Sequence, residues 1–192
     1  MKKLNLGSGE FLKPGYVNVD FFSVSKPDVV HDLSQYPYPF QDNEFDLVES
    51  DHCLEHLSEP FRVMREIHRI ARDGAEVIIR VPHFSRGFTH AEHKAGFDVT
   101  FPYYFRPEFP GGYQGFEMKT ASVRLTWFAQ PYLKKQVLSP FSYYAATAIG
   151  RVLDVLANAS PFICSRLWCF WVGGFEQVEF RMIVRKPPVS AP

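Results

Sequence analysis

The feature that most constrains this chain is the short spacing between a glycine loop and an acidic strand end near its N-terminus. An apolar stretch at residues 3–6 runs into Gly7-Ser8-Gly9, and Asn18-Val19-Asp20 forms the end of the next predicted strand. Glycines let the backbone turn sharply and approach a ligand, while a carboxylate at a strand end can accept hydrogen bonds from two ribose hydroxyls. The pair is typical of an α/β domain that binds an adenosine-containing cofactor.

The residues after the glycines limit the kind of cofactor. A dinucleotide fingerprint needs a third small residue three positions after the second glycine, and Leu12 stands there. The Gly-Lys-Ser/Thr of a nucleotide-hydrolase phosphate loop is also absent. A cofactor with ribose and adenine but no phosphates is therefore favoured, and an NAD-dependent oxidoreductase is a less favoured alternative.

These residues resemble the class I S-adenosylmethionine-dependent methyltransferases, in particular the small type-11-like group found among polysaccharide-modifying enzymes. The resemblance covers roughly the first half of the chain. It is carried by motifs in one order: Leu6-Gly7-Ser8-Gly9, residues 14–20, His31-Asp32-Leu33, residues 39–48, Leu54-Glu55-His56-Leu57, and Asp73-Gly74 before an apolar run at 75–81. Several landmarks in sequence are far more specific than a single glycine pair.

The resemblance implies S-adenosyl-L-methionine as the cofactor and assigns a role to each motif. The glycine loop would hold the methionine part, Asp20 the ribose, and Asp32 with Leu33 the adenine edge. The segment after the fourth strand would lie near the sulfonium. The predicted cofactor-binding residues are therefore Gly7, Ser8, Gly9, Asp20, Asp32, Leu33, Ser50, Asp51 and His52.

Histidines that follow the apolar run at 75–81 are the candidates for a catalytic base, because an imidazole titrates near neutral pH. His93-Lys94 followed by Phe97 is similar to a loop in polysaccharide-modifying relatives, so His93 is our first choice, with His83 and His90 as alternatives. A role in hydrogen bonding or packing is equally open for each. The same histidines allow a metal site, but the His-Glu-x-x-His order is missing, and we predict no metal.

The predicted fold is a Rossmann-like α/β methyltransferase sheet, mostly parallel, with an antiparallel edge hairpin. Ten residues separate Gly9 from Asp20 and eleven separate Asp20 from Asp32, so the helices after the first two strands must be shortened. One domain is expected over 1–186, with 82–140 as an irregular substrate-side insertion and 187–192 as a tail. Strands are predicted near 3–6, 16–20, 28–31, 45–50, 75–81, 121–128 and 178–184, and helices from Ser58 to Gly74 and near 143–157.

The composition of the chain limits the kinds of partner and compartment that we expect for it. With 192 residues, 46% hydrophobic content and a formal net charge of +0, the chain fits one globular domain without the bulk charge of a nucleic-acid-binding protein. The three cysteines are an odd number without paired metal-ligand spacing, and the N-terminus is unlike a signal peptide, so a reducing cytoplasm is expected. Charges interrupt the apolar stretch after residue 136, so no transmembrane segment is predicted, while peripheral membrane contact and a homo-oligomer stay open.

The sequence thus predicts an S-adenosylmethionine-dependent methyltransferase that O-methylates a sugar or another small-molecule hydroxyl. A non-catalytic binding or scaffold subunit with the methyltransferase shape is the main alternative, because shortened helices and many aromatic residues leave surface for a partner.

Overall fold

Seven strands form one sheet in the computed structural model, which describes residues 1–87 and 90–187. Their order across the sheet is β3-β2-β1-β4-β5-β7-β6. The strands are β1 (Lys3–Leu6), β2 (Val17–Asp20), β3 (Val29–Val30), β4 (Phe45–Asp51), β5 (Ala71–Pro82), β6 (Glu117–Thr126) and β7 (Gln177–Arg185). The first five pair in parallel, and β7 is antiparallel to both β5 and β6. The predicted Rossmann-like sheet with its antiparallel edge is confirmed.

Helices occupy mainly the second half of the described chain. They are α1 (Pro60–Ile70), α2 (Phe84–Gly87), α3 (Pro131–Lys134), α4 (Pro140–Ala159) and α5 (Pro161–Arg166), with 3-10 turns at Ser23–Ser25, Leu54–His56, Phe101–Phe105 and Trp168–Phe170. No helix lies between β1 and β2, and a single 3-10 turn separates β2 from β3. The shortened first crossovers are therefore confirmed.

The two faces of the sheet differ in polarity, which explains how the early helices can be missing. Val77 and Ile79 of β5 lie in register with Met182 and Phe180 of β7, and all four are fully buried in the core with α1. The alternate positions on the strands carry polar and charged residues instead: Asn5, Asn18, Glu49, Asp51, Arg80, Glu179 and Arg181. A polar face does not need an apolar helix to cover it.

An ion-pair network crosses this polar face. Arg80 donates from Nη1 to Asp51 at 2.6 Å and from Nε to Glu179 at 2.6 Å, while Lys13 reaches Glu49 at 2.7 Å and Asp51 at 2.8 Å. Burial works against ionisation of Glu49 and Asp51, but hydrogen bonds from the cations outweigh it and hold the pKa of both carboxyl groups below the usual range. The β1–β2 loop thus covers the sheet with charge rather than with a helix.

Helix α1 differs from its prediction at both ends. Ser58 does not cap it, because the helix begins at Pro60 after Glu59 and has no side-chain cap bond. Gly74 does not end it either: the helix stops at Ile70, where the amides of Asn43 and Glu44 bond the carbonyls of Arg69 and Ile70 at 3.0 and 2.6 Å. Gly74, with φ +77°, lies instead in the irregular start of β5.

Helix α4 is longer than the predicted 143–157. Its apolar stripe does not pack on the protein, since Ile149 and Leu156 retain 53% and 56% of their accessible surface. The buried positions are Gly150 and Ala157. A Cβ on Gly150 would lie 3.1 Å from the Cβ of Phe128, so a small residue permits this approach. Within the described residues, no helix has the length and apolar character needed to cross a bilayer.

The predicted insertion at 82–140 contains regular structure as well as loops. Strand β6 occupies Glu117–Thr126 rather than 121–128, and α3 and the start of α4 follow it. Residues 88 and 89 of this segment, and 188–192 of the predicted tail, lie outside the described residues.

Candidate cofactor and acceptor site

The glycine loop after β1 is bonded directly to the end of β2. The amides of Gly7 and Ser8 both donate to the carbonyl of Val19, at 2.9 and 3.0 Å, and the amide of Gly9 donates to the Asp20 carboxylate at 2.7 Å. The other Asp20 oxygen accepts from the amide of Phe22 at 2.9 Å. Each carboxylate oxygen retains accepting capacity, so Asp20 can fix the loop and still bind a hydroxyl.

A side chain at position 7 would be unfavourable for two reasons. The φ of Gly7 is +68°, in the left-handed region, and an added Cβ would lie 2.3 Å from Sγ of Cys53. Cys53 follows β4, so this contact packs the glycine loop against the segment that follows the fourth strand. The neighbouring Ser8 is buried, and its hydroxyl has no hydrogen-bond partner among the described residues.

One cavity brings together the predicted cofactor residues from three loops. It has a volume of about 420 Å³ and contains Gly7, Gly9, Asp20, Asp32 and Leu33 in its wall. The Asp32 carboxylate accepts from the amide of Ser34 at 2.8 Å, which holds this turn in place. The predicted ribose and adenine residues therefore lie around the same space, at the carboxyl ends of β1, β2 and β3, where open α/β sheets bind ligands.

A second cavity of about 510 Å³ shares Gly7, Gly9 and His52 with the first and extends over Asp51. The Asp51 carboxylate is already paired with Lys13 and Arg80. The third predicted residue of this segment, Ser50, is 1% exposed within β4, so its side chain is not available at the cavity surface. The structure thus brings His52 and Asp51 to the cavities and leaves Ser50 in the core.

A histidine-lined cavity adjoins the cofactor cavity. Its volume is about 480 Å³, and His52 and His56 line both spaces. His90 and His93 also line it, with their rings stacked at 4.6 Å between centroids. Two of the three predicted base candidates therefore lie beside the cofactor cavity.

Among the described residues, four charged side chains line this cavity: Glu55, Arg86, Lys134 and Glu176. Glu55 is 1% exposed. Its Oε1 lies 3.5 Å from Nδ1 of His52, and Nε2 of His52 lies 2.9 Å from Oε1 of Gln177. Burial by itself would lower the pKa of His52, but the hydrogen bond and charge of Glu55 outweigh burial and raise it.

His83 occupies a different environment from the other candidates. It is fully buried, with Nδ1 2.7 Å from Oγ of Ser85 and Nε2 2.9 Å from Oγ of Ser165. Burial lowers its pKa to about 4. Both ring nitrogens are therefore engaged inside the protein, which fits a structural histidine better than a base that meets a substrate.

Several lining residues were not predicted as site residues. Glu10, Phe11, Gln130 and Tyr132 line the second cavity, and Phe21, Phe22, Cys53 and Glu92 line the first. Those beside the glycines or after β2 could have been found from their position next to a motif. Gln130 and Tyr132 could not, because they come from the connection after β6, more than a hundred residues further along the chain.

Comparison with known proteins supports the methyltransferase class that the sequence predicts. The sequence profile of a family described as a methyltransferase domain matches residues 17–79, about a third of the chain. Ajmaline N-methyltransferase from Rauvolfia serpentina is 43% identical over 63 residues, which cover 33% of this chain and 21% of that enzyme. The match therefore spans about a fifth of that relative's length.

Two solved structures share the fold across almost the whole chain. The [4+2]-cyclase SpnF has a TM-score of 0.59 and 12% identity, with 97% of this chain and 75% of that chain covered. Phosphoethanolamine N-methyltransferase 2 from Haemonchus contortus, in complex with S-adenosyl-L-methionine, has a TM-score of 0.54 and 15% identity, with 97% and 50% covered.

The sheet order is that of a Rossmann-like domain of the kind found in methyltransferases, and the cavity lies at the glycine loop of this sheet. Together with the matched family profile they support an S-adenosylmethionine-dependent methyltransferase and S-adenosylmethionine as its cofactor. A cyclase and an N-methyltransferase share this fold, so the fold alone does not assign the reaction.

Proposed function

We propose that this protein is a methyltransferase that transfers a methyl group from S-adenosylmethionine to a hydroxyl of a sugar or another small molecule. The observation that carries the proposal is the bond from the Gly9 amide to Asp20, because it joins the two predicted cofactor motifs in the wall of one cavity. The volumes of about 420 and 510 Å³ are in the range of small-molecule sites. The dinucleotide alternative is disfavoured because residues 7–16 form no helix whose N-terminus could hold a pyrophosphate.

In this proposal the cofactor residues keep the roles that the sequence predicts. Asp20 would accept from the ribose, Asp32 and Leu33 would meet the adenine, and the glycine amides and the orphaned Ser8 hydroxyl would serve the methionine part. The cofactor supplies a methyl group already activated by positively charged sulfur. The protein's task is then to align the acceptor and to accept its proton.

The acceptor would lie in the histidine-lined cavity, because this cavity shares His52 and His56 with the cofactor cavity. His93 is our proposed base and His90 the alternative. A reducing compartment such as the cytoplasm is part of the proposal, supported by the three free cysteines. The aromatic residues Phe141 and Trp171 are 84% and 81% exposed, so a second copy of this chain or a membrane surface is part of the proposal as a partner.

The first test is calorimetric titration of the purified protein with S-adenosylmethionine and S-adenosylhomocysteine. Asp20→Ala should weaken binding at least about tenfold, because a hydrogen bond to a charged group contributes about 1.5–3 kcal/mol. Asp42→Asn is the matched control, since Asp42 is 69% exposed and precedes β4 at the opposite end of the sheet. Folded wild-type protein that binds neither compound would favour the scaffold alternative.

A second test assigns the acceptor. Hydroxyl and amine compounds, including sugars, are incubated with the cofactor, and release of S-adenosylhomocysteine is measured. Removal of a general base costs about 10²–10⁴-fold in rate, so His93→Ala should lower turnover on a hydroxyl acceptor by that order. Turnover on amines alone would contradict the proposed O-methylation while leaving the methyltransferase class intact.

A further inference from the structure

Three side chains of the kind that bind metal ions come together where the histidine-lined cavity adjoins the cavity around Asp20 and Asp32. The potential ligand atoms of Glu55, His56 and His93 all lie within 4.8 Å of one another. Glu55 and His56 belong to the 3-10 turn after β4, whereas His93 comes from the segment after β5. Backbone bonds hold the two segments together, since the amide of Lys94 donates to the carbonyl of Glu55 at 2.7 Å. The cluster is therefore a product of the fold.

The side chain of Glu55 provides a second, independent observation at this cluster. The residue is 1% exposed, and its Oε2 has no hydrogen-bond partner among the described residues. A buried carboxylate oxygen without a donor is unfavourable, because burial removes the water that would otherwise solvate it. The other oxygen, Oε1, faces His52, which Gln177 holds from its far side. Such oriented neighbours are typical around metal-binding side chains.

We propose that Glu55, His56 and His93 bind a divalent transition-metal ion, with Zn²⁺ the ion that this ligand set fits best. Two imidazoles disfavour Mg²⁺ and Ca²⁺, which prefer oxygen ligands. Two histidines and one glutamate are a ligand set of catalytic zinc sites, in which the fourth position is left for water or substrate. All three side chains line the cavity in which the acceptor is placed, so the fourth position is accessible from it.

This inference changes the part that His93 takes in acceptor activation, and in that respect it rests on the proposed function. As a ligand, His93 would act on the acceptor hydroxyl through the ion, which would lower the pKa of that hydroxyl, and the released proton would pass to His90, the alternative base in the same cavity. The proposed site departs from the prediction of no metal. Glu55 and His93 are 38 positions apart and share no recognised spacing, so the sequence does not indicate them as a ligand set.

The test is metal binding to the untagged, full-length protein after treatment with a chelator. Zn²⁺ is titrated by calorimetry, and Co²⁺ is titrated with its visible absorption as a second readout of coordination. Wild-type protein should bind one equivalent. His93→Ala should weaken binding at least about tenfold, because even partners one shell further from a metal change its affinity by about 10–100-fold. Glu55→Gln should do the same, with thermal denaturation confirming that each variant folds.

His90→Ala is the matched control, because His90 stacks on His93 at 4.6 Å but lies outside the three proposed ligands. It should bind Zn²⁺ as wild type does. The proposal is overturned if wild type binds no Zn²⁺, if His93→Ala binds it unchanged, or if His90→Ala loses as much affinity as His93→Ala. If Glu55→Gln does not fold, the two histidine variants decide. Cofactor binding without zinc binding would contradict the metal site and leave the methyltransferase proposal standing. Zinc binding without cofactor binding would support the metal site and contradict the methyltransferase proposal.

Discussion

The buried histidine His83 should make the protein sensitive to mild acid. Its folded-state pKa is about 4 against an ordinary value of 6.5, because burial disfavours the charged ring. Above the ordinary value both the folded and the unfolded state hold a neutral ring, so the residue has no effect. As the pH falls below it, the unfolded chain gains a proton that the folded protein does not, and the free energy of unfolding decreases.

The size of this effect follows from the two pKa values. Between pH 7 and pH 5 the shift removes about 2 kcal/mol from the free energy of unfolding, and the loss approaches about 3 kcal/mol near pH 4. A protonated ring would donate from both Nδ1 and Nε2, so both serine hydroxyls would have to accept from it.

The assay is urea denaturation of wild type and His83→Gln at pH 7 and pH 5. The amide of glutamine can still donate and accept hydrogen bonds but does not titrate, so the variant should lose about 2 kcal/mol less than wild type between the two pH values. Carboxyl groups such as Glu49 titrate in both proteins and cancel in this comparison. His31→Gln, at a histidine outside the core, should behave as wild type does. Equal losses in wild type and His83→Gln would refute a buried neutral His83.

Three further substitutions test local features. Gly7→Ala should lower the free energy of unfolding by at least about 2 kcal/mol through left-handed strain and the clash with Cys53; urea denaturation measures this, and unchanged stability would contradict the close approach. Tyr16→Phe removes the hydroxyl that donates to Glu49 at 2.7 Å and should cost about 1.5–3 kcal/mol in the same assay, whereas a neutral result would mean that the network does not need it. Ser139→Ala removes the N-cap of α4 and should cost about 1 kcal/mol, visible as a lower thermal midpoint.

The cofactor half of the site could be predicted because its geometry is local in sequence. Gly9 and Asp20 are eleven residues apart, and two short parallel strands joined by one loop place them together by necessity. The same reasoning predicted the missing crossover helices. It did not predict the polar face, because the partners of Arg80 come from β4 and from Glu179, 99 positions away. The apolar run at 75–81 therefore predicts a strand but not the charged partners of Arg80.

Helix α4 shows a second limit of sequence periodicity. The stripe of Ile149, Val152 and Leu156 repeats at helical spacing and predicts a buried face, yet these residues are more than half exposed. The helix instead approaches β6 with Gly150 and Asn158, whose side-chain amide donates to the carbonyl of Leu125 at 2.8 Å. Periodicity identifies an apolar stripe but not its partner. It therefore cannot distinguish a stripe that packs within the chain from one that remains exposed.

The histidine cluster is the case in which sequence selects residues but cannot assign their roles. His93 belongs to the His93-Lys94 loop motif, whereas Glu55 belongs to the motif Leu54-Glu55-His56-Leu57 after β4. The fold makes them adjacent through the amides of Lys94 and Ala95, which both donate to the carbonyl of Glu55. A base needs one imidazole beside an acceptor, while a zinc site with two histidines needs a third protein ligand, which a carboxylate can supply. Because the carboxylate is present and one of its oxygens has no donor among the described residues, binding of Zn²⁺ is the measurement that separates the two roles.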